Sequence, residues 1–155
     1  MGVSVCMNCH KVVSDCKCDE KYGVGHFIDL DNVEFVCHKC FNNRDKCTCK
    51  KYTHDIGLDK NIIEHIKILN RKGYNTVYSC EGHSSGGGIY ICFDNSFRNI
   101  PENCIPDGFV REEKNKAIRH LYNKVEKDFV NEKEKYLSIL LEWCNSLEDL
   151  NNKVR

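Results

Sequence analysis

Eight cysteines before residue 50 fall into two copies of one ligand pattern. Cys6-x2-Cys9 is followed after six residues by Cys16-x-Cys18, and 31 residues later Cys37-x2-Cys40 is followed after six by Cys47-x-Cys49. Each copy supplies four thiolates, the number a tetrahedral structural zinc takes. A unit repeated in full at one offset is a built feature, not scattered thiols. The chain opens with no positively charged segment leading into an apolar run, so the expectation is a cytoplasmic protein, where clustered cysteines hold metal in preference to disulfides. The spacing does not match the ferredoxin runs of iron–sulfur proteins, and thiolate ligation with this geometry selects zinc, two ions in all. Two pairings satisfy the repeat: a sequential one, with one copy per ion, and a cross-braced one, with the two C-x2-C pairs on one ion and the two C-x-C pairs on the other. The sequential solution closes the shorter loops. His10 and His38 stand beside ligands and are alternative donors.

A second constellation lies at Cys80-Glu81-Gly82-His83, followed by Ser84, Ser85 and three glycines. A thiol, a carboxylate and an imidazole within four residues combine nucleophile, acid/base and turn amides in one place. Three functional readings follow. Cys80 and His83 form a catalytic pair with Glu81, the imidazole lowering the thiol pKa; or Cys80 and His83 are a metal half-site completed by His54, Cys92 or Cys104; or Thr76, Ser84, Ser85, Gly86 and Gly87 line a pocket for an anion. The plain alternative is a hairpin with a buried Cys80 and a surface His83. The zinc deaminase signature, the Walker loop, HExxH and GxSxG are all absent from the chain.

The elements that position these groups make an α+β protein. Residues 1–50 form a Cys-rich two-zinc module with a β-hairpin, its strands at 26–30 and 33–36 around Asp31-Asn32. Composition shifts after Cys49, so 51–155 is set apart as an α+β domain carrying the SCEGH loop. Ile62, Ile63, Ile66 and Leu69 recur at helical spacing between Asp59, an N-cap, and Gly73, a stop, which predicts a helix over 60–72. Strands are expected at 75–79 and 89–93, with a short third at 109–110. No Gly or Pro follows Glu112, and an apolar stripe from Ile118 to Leu147 predicts one long C-terminal helix, or two with a break at 127–130. Cys92, Cys104 and Cys144 are read as core thiols.

Charge limits the partners. Lys plus Arg and Asp plus Glu are 23 each, and each zinc bound by four thiolates adds a net −2 to the module. The basic face that phosphate tracking needs is missing. No apolar run is long enough to span a membrane, and Cys6 stands where a myristoylation motif has Ser or Thr. The reading is a non-enzymatic zinc module that binds a protein partner, as a monomer or homodimer, ahead of a small-ligand binder or enzyme using Cys80, Glu81 and His83, with nucleic-acid binding third.

The run LDKNIIEHIKILNRKGYNTVYSCEGHSSGGGIYICF over 58–93 resembles a group of small proteins of low-GC Gram-positive bacteria and their phages. These share a helix ending in LN-x-KGY-x-T, then SCEGH, then an aromatic-rich strand, often behind a Cys-rich N-terminus. Thr76 to Gly82 is also similar to the T-x-S-S-C-x-G-R motif of the wybutosine tRNA methyltransferase family, with His83 in place of the arginine. The first resemblance implies a zinc-bearing accessory protein of phage or prophage origin, modulating a host protein or a defence system.

Overall fold

A computed structural model describes residues 3–6, 10–18, 24–27, 30–49, 55–83, 87–122 and 128–153. The protein is α+β, and it divides into two compact units, Met1–Lys60 and Asn61–Arg155. The composition shift at residue 50 therefore lies inside the first unit, before its last strand.

Unit 1 is the 31-residue repeat made physical. Strand β1 (Val3–Cys6) pairs antiparallel with β2 (Val24–Phe27), and β3 (Val33–Cys37) with β4 (Asp55–Asp59). The two ladders share one register, since Cys6 lies opposite Val24 and, 31 residues on, Cys37 lies opposite Asp55. Each first strand runs into a knuckle that folds back on it. The Cys6 N–H donates to Lys11 O and the Cys37 N–H to Asn42 O, both at 2.9 Å; the N–H groups of His10 and Phe41 donate to the carbonyls of Cys6 and Cys37, both at 2.8 Å. A 3-10 turn follows in each copy, Val13–Asp15 and Arg44–Lys46. This overturns the expected hairpin between 26–30 and 33–36. Those segments pair with different partners, and Asp31-Asn32 lies in a 3-10 turn, Leu30–Asn32, joining the two copies. Adjacent strands flanking an Asp-Asn pair carry a hairpin signal, but each strand is claimed by the other strand of its own repeat.

In unit 2 the helix α1 (Ile63–Arg71) precedes a four-stranded antiparallel sheet of order β5-β6-β8-β7, made of β5 (Thr76–Cys80), β6 (Tyr90–Phe93), β7 (Val110–Glu112) and β8 (Ala117–Arg119). The helix α2 (Phe129–Ser146) closes the unit. The α1 stripe buries Ile62, Ile66 and Leu69, and the sheet contributes Ile91, Phe93 and Ile118 to the core with Leu140, Trp143 and Cys144 of α2. Fully burying each large aliphatic is worth roughly 1.5–3 kcal/mol. Lys72, just past α1, donates through Nζ to the carbonyls of Cys144 at 3.0 Å and of Asn145 and Leu147 at 2.6 Å. A cation thus satisfies the open carbonyls at the α2 C-terminus.

The C-terminal helix is shorter than the stripe predicts. Residues from Glu112 to Arg119 turn back as a hairpin in which Glu112 pairs with Ala117 and Lys116 holds φ 48°. The absence of Gly hid this turn, because a lysine takes the left-handed position that glycine usually fills. The break expected at 127–130 lies partly outside the described residues. Of the three cysteines read as core, Cys144 is buried and Cys92 half-buried, but Cys104 is exposed. Among the described residues no helix is long and apolar enough to cross a membrane.

Candidate metal centres

Cys37 ends β3, Cys40 lies in the knuckle, and Cys47 and Cys49 follow the 3-10 turn; their four sulfurs all lie within 4.8 Å of one another. The Cys40 and Cys47 sulfurs are 3.7 Å apart. A tetrahedron with metal–sulfur bonds of about 2.3 Å has edges of about 3.8 Å, so the residues fit a four-thiolate ion. In the first copy Cys6, Cys16 and Cys18 cluster in the same way, while Cys9 lies outside the described residues. Each cluster draws its members from one copy. That is the sequential arrangement, with loops closed inside the repeat.

The electrostatics of the second cluster ask for a cation. Burial pushes the Cys37 thiol up, but hydrogen bonds from the Cys40 and Lys39 N–H groups and the thiols of Cys47 and Cys40 outweigh it and carry Cys37 down to about 6. Cys49 is pushed up to about 12 by its hydrogen bond to Cys40, by burial and by facing Cys37. One thiolate forms readily and its neighbours then resist ionising, because like charges this close repel. A divalent ion removes that conflict and deprotonates the ligands.

The copies are fastened to each other by side chains that carry no thiol. His10 and Phe41, the residues after each knuckle's second cysteine, hold φ 60° and 55°. The His10 ring stacks on Phe35 of β3, centroids 3.9 Å apart and planes 4° apart. Asp55, 7% exposed, lies 3.5 Å from His10 Nε2 and 3.0 Å from Arg44 Nη2. His10 is thus a packing residue between copies, and among the described residues no metal-capable group contains it or His38.

In unit 2 the Cys80–His83 segment separates into two roles. A sulfur of Cys80 and a ring nitrogen of His83 lie within 4.8 Å, both half-buried, and the Gly82 N–H donates to Cys80 Sγ at 3.3 Å. Glu81 faces away from this pair. It is fully buried, receives the Asn61 N–H at 2.9 Å and its Nδ2 at 3.1 Å, and is paired with Lys133 Nζ at 2.6 Å. Tyr122 donates its hydroxyl to the Glu81 carbonyl at 2.9 Å, and burial, reinforced by the Glu81 charge, pushes that phenol up. A carboxylate so enclosed anchors the loop; it is not placed to exchange protons with a substrate.

The expected anion pocket is not assembled by the described residues. Thr76 is at the opposite end of β5 from Cys80, about 13 Å away at 3.3 Å per residue, where it exchanges hydrogen bonds with Asn70. Gly87 is exposed, and Ser84, Ser85 and Gly86 lie outside the described residues. His54 lies outside them as well. No metal-capable group among the described residues includes Cys92 or Cys104. Asn61, Tyr122 and Lys133 are invisible to motif reading, since each serves the loop from a distant part of the sequence. Comparison with protein-family models, curated proteins and solved structures finds no match for the chain.

Proposed function

We propose that the chain is a zinc-dependent protein-interaction module: two zinc ions hold residues 1–60 folded, and the molecule acts by docking to another protein without chemical turnover. The observation that carries this reading is the Cys37, Cys40, Cys47, Cys49 cluster, whose sulfurs match a four-thiolate ion in number and spacing. Among the described residues, Val5, Val33, Val36 and Phe41 are the buried non-cysteine apolar residues of unit 1. So small a core needs a metal to fold. Charge balance favours a protein over a nucleic acid, and the sequestered Glu81 removes the acid/base member of a catalytic trio. The accessory role in a phage is supported by the sequence resemblance.

Elemental analysis of the purified chain should return two zinc ions; a content well below two overturns the module. Labelled oligonucleotides in 0.15 M salt should show no saturable anisotropy change, and saturable binding overturns the choice of a protein partner. The proximity of Cys80 and His83 supports a second reading, small-ligand chemistry at that pair. A specific partner retained by Cys80→Ala but released by zinc chelation supports docking; retention that depends on Cys80 and ignores chelation supports the second reading.

A further inference from the structure

We infer that unit 2 binds the phosphoryl group of a small phosphate ester, in a cleft whose lining includes neither Cys80, Glu81 nor His83. A cavity of about 230 Å³ opens between the 3-10 turn Asn95–Asn99 and the β7–β8 turn, lined by Asn95, Phe97, Arg98, Arg111, Glu113 and Lys116. It lies at the Thr76 end of the sheet, where the Phe93 N–H donates to Lys116 O. Three cations face one carboxylate in a chain whose net charge is zero.

The three cations are not equivalent, and their differences make a site. Arg111 is fixed: its guanidinium carbon lies 3.9 Å from the Phe97 ring centroid, Nη1 donates to Ile100 O at 2.7 Å, and Nε pairs with Glu113. Its side chain is 14% exposed, and with Nε and Nη1 engaged it brings Nη2 to the cavity wall on a fixed plane. Glu113, the one lining carboxylate, is engaged by that contact. Lys116 Nζ has the neutral Asn95 Oδ1 at 2.8 Å, on a backbone held at φ 48°. A non-glycine residue in that conformation stores strain of the kind found at binding sites. Arg98 is exposed and, among the described residues, has no hydrogen bond or ion pair. Asp94, outside the lining, accepts from the Ser96 N–H at 2.7 Å and Asn75 Nδ2 at 3.1 Å and is also near enough to feel the Lys116 charge.

One fixed and two available cations around a concave floor match a dianionic phosphoryl group, which accepts charge-assisted bonds from several donors at once. The volume is below that of ordinary cofactor pockets. It suits a phosphoryl group with the first atoms of a small ester.

The test is a titration of the zinc-loaded full chain, followed by amide chemical shifts, with inorganic phosphate, ribose 5-phosphate and acetate as a control. Saturable shifts at residues 95–98 and 113–116 are expected, tighter for the ester than for inorganic phosphate and absent for acetate. Arg98→Ala and Lys116→Gln, both at the rim, should keep the spectrum and zinc content and each weaken binding about tenfold. Shifts elsewhere, no saturation, or unchanged affinity in the double variant overturn the site; equal affinity for phosphate and ester overturns the ester assignment.

Discussion

Lys133 of α2 donates to Glu81 across 2.6 Å, and the carboxylate it reaches is wholly enclosed while the lysine is 17% exposed. The pair is therefore unequal. Lys133→Met takes the paired cation from a buried carboxylate, a change that costs about 3–5 kcal/mol. Glu81→Gln keeps an acceptor for Asn61 and leaves an ammonium that water can reach, for a loss of about 1–2 kcal/mol. Urea denaturation followed by the emission of Trp143, the single tryptophan, should rank the variants in that order.

Ion sharing within each copy makes a counting prediction. Cys37→Ser and Cys49→Ser should each lower zinc from two ions to one, and their combination should still leave one. Cys37→Ser with Cys16→Ser should leave none. Elemental analysis of the purified variants reads this directly; cross-braced sharing, which puts Cys37 and Cys49 on different ions, would leave none in the combination of Cys37→Ser with Cys49→Ser. Chelation should unfold unit 1 while the Trp143 signal of unit 2 persists.

Two neighbouring glycines should respond unequally to alanine. A Cβ on Gly88 would overlap the His120 carbonyl oxygen, a backbone atom that cannot swing aside, whereas one on Gly87 meets nothing within 4 Å. Gly88→Ala should cost more than about 3 kcal/mol or prevent folding. Gly87→Ala, strained only by its φ of 90°, should cost about 1–2 kcal/mol. Thermal midpoints of the two variants check the contrast.

His65, 4% exposed, contacts the Leu137 carbonyl through Nε2 at 2.8 Å. Burial holds the imidazole below its ordinary 6.5, against the opposing pull of that carbonyl. The unfolded chain therefore takes up a proton that the folded chain refuses, so stability is full above pH 6.5 and falls as the pH drops towards the lower folded value. Urea midpoints from Trp143 emission should decline between pH 7 and 5.5, and His65→Gln should flatten that decline.

The cysteine clusters were legible because their information is local: a knuckle's ligands lie within 13 residues, and the 31-residue offset repeats every one of them. Helix α1 was legible within a turn for the same reason, from the spacing of Ile62, Ile66 and Leu69. Pairing was not. Nothing near Val33 says that its strand lies beside Asp59 instead of the preceding segment, since the matching register is carried by the repeat and not by a turn. Strand β8 was lost inside an apolar stripe, as Ile118 fits a helical period until Lys116 turns the chain. At the Cys80 loop the residue types are legible in the sequence, but their partners are not. Glu81 reads as chemistry from sequence and as an anchor once Asn61 and Lys133 close on it.

The stacking of His10 on Phe35 ties the first knuckle to a strand of the second copy, and Asp55 draws His10 and Arg44 to one carboxylate. Were both clusters to hold ions, ordering one knuckle would order a contact that the other copy uses, so the loss of one ion in Cys37→Ser should also lower the affinity of the remaining cluster for its own.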